Sequence, residues 1–202
     1  APITTCRPLA WNSSSTGVQL KGLAGAMHYN VAANHFRTDG WREHSAARRE
    51  SVNARLGFDL AAGQRLELLF NGFDAPHAQD PLGLRREQVR ANPRQATAVA
   101  TQYNTRKSVR QTQLGAVYSA ERGQQTWRLM GYAGQRAVEQ FLAIPPGPQN
   151  SPLHSGGVIE LDSDYGGVDA RWAWFCLFVC NPLELVIGAN ADRQQQHRTG
   201  YE

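Results

Sequence analysis

Two short stretches bring nucleophilic and titratable side chains together: Asp74, His77 and Asp80 in one, Ser151, His154 and Ser155 in the other. A histidine between carboxylates or hydroxyls is raw material for proton transfer or nucleophilic attack. Both clusters, however, are made of common turn residues within one loop, and neither carries the surrounding pattern that gives a catalytic motif its geometry. Cys176 and Cys180 stand four apart but lack a second pair of ligands at zinc spacing, and Cys6 is alone. The histidines at 28, 35, 44, 77, 154 and 197 are scattered singly, with no H-E-x-x-H. No P-loop, G-x-G-x-x-G or G-x-S-x-G occurs. These residues predict no catalytic site, no metal centre and no cofactor.

Whatever the chain does must therefore follow from its architecture. The longest apolar run is the nine residues from Trp172 to Cys180, and a spanning helix needs about 20. No secretory signal is expected at the N-terminus, and none would remain in a mature or internal piece. The formal net charge of +4 comes mostly from Arg. It is mild, and no tight Lys/Arg cluster with interleaved aromatics marks a nucleic-acid platform.

The clearest local signal is alternation. Val52, Ala54, Leu56, Phe58 and Leu60 are apolar, whereas Asn53, Arg55, Gly57 and Asp59 between them are not. This period of two predicts a strand with one oily face. Ala61-Ala62-Gly63-Gln64 turns the chain, and Leu66, Leu68 and Phe70 continue that face on the return. A second hairpin repeats the plan: Leu114, Ala116 and Tyr118, a turn at 120–123, then Trp127, Leu129, Gly131 and Ala133. Weaker strands are expected around 20–35, 165–174 and 183–192, giving about seven in all.

Between the hairpins lie polar connections at about 37–50, 74–107 and 139–164, with a helical turn available at 85–90. Loops of this length are uncommon in compact domains unless they have a function. Short turns at one end, long loops at the other and alternating strands between them match the pattern of an outer-membrane β-barrel. Asn53, Arg55, Asp59, Glu67, Asn71, Gln113, Arg128, Asp169 and Arg171 then form the inward face, and Tyr29, Phe73, Tyr118, Trp127, Trp172 and Trp174 are candidates for an interfacial girdle. Periodicity alone leaves a soluble half-buried sheet equally open, with those aromatics in its core.

Several segments also resemble a family. His35-Phe-Arg-Thr-Asp-Gly-Trp-Arg-Glu-His-Ser-Ala-Ala-Arg-Arg-Glu50, Asn71-Gly-Phe-Asp-Ala-Pro-His-Ala-Gln-Asp-Pro-Leu-Gly-Leu84, Tyr103-Asn-Thr-Arg-Lys107, Tyr132-Ala-Gly-Gln-Arg136, Ser151-Pro-Leu-His-Ser-Gly-Gly157 and Asp192-Arg-Gln-Gln-Gln-His-Arg-Thr-Gly-Tyr-Glu202 are similar to the barrel of TonB-dependent outer-membrane receptors of the ferric-siderophore branch. The resemblance runs from about Gly17 onward. It divides the chain into an irregular segment, 1–15, and a partial barrel, 16–202, with the family's plug, energy-coupling box and aromatic-ended last strand absent. Residues 174–180 stand where that family has a polar periplasmic turn.

The resemblance implies an all-β antiparallel meander in the bacterial outer membrane, with short periplasmic turns and long extracellular loops. It implies uptake rather than catalysis: a ferric siderophore captured from outside, the TonB complex acting through the missing plug, and outer-membrane lipid against the oily face. An anionic chelate favours Arg and aromatic surfaces. On that implication Arg85, Arg86, Arg90, Arg94, Tyr103, Arg106 and Lys107 are the candidate ligand contacts. The alternatives are a soluble carbohydrate-binding sandwich, with Trp41, Trp127, Trp172 and Trp174 as stacking platforms, and an outer-membrane enzyme built on one of the two His clusters.

Overall fold

The computed structural model of the chain describes residues 3–9, 12–151, 153, 156–178 and 181–201. Nine antiparallel strands form one sheet: β1 (Ile3–Leu9), β2 (Ser13–Ala24), β3 (Met27–Thr38), β4 (Ala47–Ala61), β5 (Gln64–Gln79), β6 (Arg106–Arg122), β7 (Gln125–Phe141), β8 (Val158–Phe178) and β9 (Asn181–Tyr201). Each strand pairs with its sequence neighbours, in the order β1 to β9. Three short helices sit in the connections: α1 (Arg86–Ala91), α2 (Ala98–Gln102) and α3 (Pro146–Gln149).

Connection length sorts by end. At one end β2 to β3, β4 to β5 and β6 to β7 are joined by two residues each, 25–26, 62–63 and 123–124. Gly25, Gly63 and Gly123 hold positive φ there, a conformation that costs glycine no steric clash. At the other end lie 39–46, 80–105 and 142–157, together with the brief link between β1 and β2.

The burial pattern is inverted relative to a water-soluble protein. Among the described residues only Ala100 and Val117 are buried hydrophobics. The register puts Leu20, Val31, Leu56, Leu68, Ala116, Gly131, Val168 and Ala191 on one face. That face is open: Leu114 and Val168 are each 61% exposed. The opposite, polar face is the enclosed one, holding Val117 at 8% and Ser163 at 6%. The sheet is therefore curved with its polar side concave and its oily side convex. Its accessible surface is 13713 Å², whereas a compact monomer of 22.3 kDa would expose about 9,400 Å².

The apolar band has a definite height. On the convex face of β9 it runs from Leu183 through Leu185, Ile187 and Ala189 to Ala191. Eight steps at about 3.4 Å, tilted by about 40°, give roughly 21 Å, close to the band of about 25 Å of outer-membrane barrels. Tyr118, Trp127, Trp172 and Trp174 lie on this face at the short-turn end. Trp127 and Trp172 place their ring centroids 5.8 Å apart, and Trp172 Nε1 donates to Gln125 Oε1 at 3.2 Å. That row is an aromatic rim along one border of the band.

Several expectations are corrected in detail. The region 20–35 holds two strands, turning at Gly25. The stretch 174–178, expected in a polar turn, continues β8 in register with β9 as far as Phe178 opposite Asn181. Residues 3–9, within the segment taken as irregular, form β1 against β2. The long loops are shorter than their polar composition suggested, because β4 to β9 run on well beyond the oily band. Phe73, grouped with the girdle aromatics, lies on the concave face opposite Ser51 and Gln111.

Candidate functional site

The concave face has two zones with different electrostatics. At the depth of the apolar band its charges neutralise one another. Arg55 Nη2 donates to both carboxylate oxygens of Glu67 at 2.7 and 2.8 Å, and Arg65 reaches Glu67 at 3.2 Å and Asp59 at 3.8 Å. His28 Nε2 lies 2.6 Å from Asp59. Across the sheet, Asp169 takes Arg171 at 3.1 Å and Arg128 at 3.6 Å. Each of these charges on the concave face has a counter-ion, which lowers the cost of its partial desolvation. All nine residues expected on the inward face from alternation lie on the concave face.

Toward the long-loop end the balance shifts. The concave register positions there carry Arg49 on β4, Lys107 on β6, Arg136 on β7 and Arg198 on β9, whereas Asp192, at the lower border of this zone, is the acid. Asp192 accepts from the Tyr132 hydroxyl at 2.6 Å. Neither Arg49, Lys107 nor Arg136 has a carboxylate partner among the described residues; Arg49 lies over the Phe36 ring at 5.3 Å. The other acids at this height, Glu50, Asp74, Glu139, Glu160, Asp162 and Asp164, occupy the convex face. There Arg48 meets Glu50 at 2.5 Å and Arg110 meets Asp74 at 3.4 Å. Arg48 holds the Glu50 carboxyl below the usual carboxylate range, by hydrogen bond first and charge second.

Between the cations sits a neutral hydrogen-bonding surface. The Tyr165 hydroxyl accepts from Gln111 Nε2 at 3.0 Å and donates to Gln113 Oε1 at 3.1 Å. These side chains, with Tyr132, Arg136, Ser163, Asp192 and Gln194, line an open groove of about 410 Å³. Strand spacing of about 4.8 Å separates Arg49 and Arg136, three strands apart, by roughly 14 Å across the sheet. Cations, amides and phenols on a concave wall can hold an anionic or oxygen-rich small molecule.

The seven residues expected to contact ligand are dispersed. Arg85 is the N-cap of α1, with Arg86 and Arg90 exposed on that helix. The Arg94 guanidinium donates to the Trp41 carbonyl at 3.1 Å, and Tyr103 is the C-cap of α2. Arg106 opens β6 on the convex side, 3.4 Å from the centre of the Phe141 ring, which turns it away from the concave wall. Lys107, its neighbour, points the other way, into the concave set. Arg49 and Arg136 were missed. Arg49 continues the phase of Asn53 and Arg55, so extending the alternation six residues upstream would have placed it inward. Of the two His clusters, His77 lies on the convex face opposite Arg48, whereas His154 and Ser155 fall outside the described residues, as does Cys180. Among the described residues no group of three His, Cys, Asp or Glu side chains is placed to hold a metal ion.

No protein-family model matches the chain. Solved structures do. The ferric citrate transporter FecA in its unliganded form aligns with 98% of this chain at a TM-score of 0.71 and 17% identity. The ferric-catecholate import receptor Fiu from E. coli K12 aligns with 96% at 0.72 and 11% identity. The receptor in an FpvAI–pyocin S2 complex aligns with 98% at 0.67 and 12% identity. The chain spans between 27% and 33% of the length of these proteins. Identities this low speak to the fold alone. The chain has the fold of a nine-stranded section of the barrel wall of TonB-dependent ferric-siderophore receptors.

Proposed function

We propose that this sheet is part of the wall of a bacterial outer-membrane receptor that takes up a ferric siderophore, and that it captures the chelate rather than transforming it. The observation that carries the reading is where the acids lie at the long-loop end: mostly on the convex face, which leaves Arg49, Lys107 and Arg136 on the concave face without a carboxylate partner among the described residues. Such a wall focuses a positive potential into the enclosed space, and that favours an anionic chelate. The convex band would face outer-membrane lipid, and the TonB complex would act through a plug domain outside these residues. A soluble carbohydrate-binding sandwich needs a second sheet to cover the oily face, and the described residues form one sheet.

Binding of radiolabelled ferric chelate to cells carrying the full-length receptor tests the proposal. Replacing Arg49, Lys107 and Arg136 together by Gln is expected to weaken binding by about 1.5–3 kcal/mol for each charged hydrogen bond lost. Receptor abundance in the membrane should not fall, because none of the three pairs with a carboxylate among the described residues. Undiminished affinity would remove the concave cations from the site. Absence of binding by the unaltered receptor for every ferric chelate offered would remove iron as cargo.

A further inference from the structure

The loop between β5 and β6 holds its arginines on a closed neck, and the closing group comes from a different loop. Arg42, between β3 and β4, donates from Nη1 to the Leu82 carbonyl at 2.7 Å. Its Nη2 donates to Pro81 at 3.2 Å and Gln95 at 2.8 Å, and its Nε to Gln95 again at 3.1 Å. Residues 81–82 and 95 are the two ends of the segment 83–94, which carries Arg85, Arg86, Arg90 and Arg94 against the single acid Glu87. One planar guanidinium thus ties both ends of a cationic loop that would otherwise be splayed by its own charge.

Supporting contacts converge on the same junction. The Glu43 amide donates to the Arg94 carbonyl at 2.7 Å and the Thr97 amide to Pro81 at 3.2 Å. His44 Nε2 lies 2.8 Å from the carbonyl of Thr105, whose own hydroxyl donates to Asp80. Thr105 is almost fully buried. Leu82 holds φ at 57°, a region a branched side chain rarely adopts without outside support. Arg42 takes its carbonyl in that conformation.

We propose that Arg42 is a positioning residue: it closes the neck of the loop 83–94 and so presents that loop's arginines as one fixed cationic surface at the mouth, without itself touching ligand. The role in ligand capture rests on the function proposed above; the closed neck does not. Lysine keeps the charge but cannot donate to three carbonyls in a plane, so Arg42→Lys separates the two contributions.

The experiment uses intact cells displaying the full-length receptor. Trypsin cleavage within 83–94 is expected to quicken at least tenfold in Arg42→Lys, and affinity for a ferric chelate to fall by a similar factor. A short thiol cross-linker between Leu82→Cys and Gln95→Cys on the Arg42→Lys background should restore both, because it closes the neck by other means. The same Cys pair without cross-linker is the control. Cleavage unchanged in Arg42→Lys would overturn the neck. Restored protection with affinity still lost would overturn the positioning role and make Arg42 a ligand contact. Should the unaltered receptor bind no ferric chelate, the functional reading fails, while the cleavage arm still decides whether Arg42 closes the loop.

Discussion

The inverted exposure of the sheet gives its strongest test, because it makes water and lipid predict opposite costs for the same substitution. Leu129 on β7 is 48% exposed and Ile187 on β9 is 55% exposed, both on the convex face near the middle of the apolar band. Were that face in water, Arg at either position would join an already solvated surface and change stability by about 0.5 kcal/mol or less. Against hydrocarbon, Arg near the midplane costs about 2–4 kcal/mol. The two positions lie two strands apart, about 10 Å, so their effects should nearly add and the double variant should lose roughly 4–8 kcal/mol. Asn190→Arg, concave and next to the Arg171–Asp169 pair, is the control and should cost far less. The assay is urea-induced unfolding of the full-length receptor in lipid vesicles, followed by heat-modifiable gel migration. Losses below about 1 kcal/mol for both convex variants would refute the assignment of that face to lipid.

Other consequences are open to direct measurement. A photo-crosslinking residue at Leu56, Phe58 or Leu129 should form lipid adducts, and one at Asn53 should not. A cysteine at Gln95 should react with an impermeant thiol reagent on intact cells while one at Gln124 stays unlabelled; the reverse pattern inverts the topology. Replacing Trp172 by Ala removes a ring from the aromatic rim and its bond to Gln125, and should lower the thermal midpoint in vesicles more than the exposed Leu153→Ala does. Because Arg48 holds the Glu50 carboxyl low, the stabilisation from that pair is fully present above the usual carboxylate pKa and is lost progressively as pH falls from there through the lowered value. Glu50→Gln should therefore flatten the acid limb of the thermal midpoint against pH, and an unchanged limb would show the contact to be idle.

How far the sequence could be read depended on what lay on each side of a strand. Within the oily band one face is apolar and the other polar, so residues such as Leu56 and Arg55 alternate, and both hairpins and all nine inward residues were legible. Beyond the band both faces are wet. The ladder continues from Glu50 to Ala47 and from Glu139 to Phe141, but nothing there enforces a period of two, so those stretches read as loop, and 135–138, between strand and loop, read as neither. Arg49 and Arg136 were hidden for the same reason. At 174–178 the opposite happened: Trp174 and Cys176 face out from the band while Phe175 and Leu177 are also apolar, and a run without polar interruption gives no period. The clamp from Arg42 could not be read at all, since it joins residues about 40 and 53 positions apart through a geometry that neither loop encodes locally.

The continuation of the strands past the band has a consequence for where the molecule meets its surroundings. On β9 the ladder runs ten residues from Ala191 to Tyr201, which at the same rise and tilt is roughly 26 Å of wall. The headgroup layer of one leaflet is only about 5–7 Å thick. On the outer-membrane placement proposed above, the rim of this palisade would stand some two nanometres clear of the membrane surface, and a solute arriving by diffusion would meet the parapet of strands before any lipid. The collecting cross-section would then be set by the height of that parapet, and shortening β8 and β9 in step should lower the capture rate without altering the affinity of a site farther down.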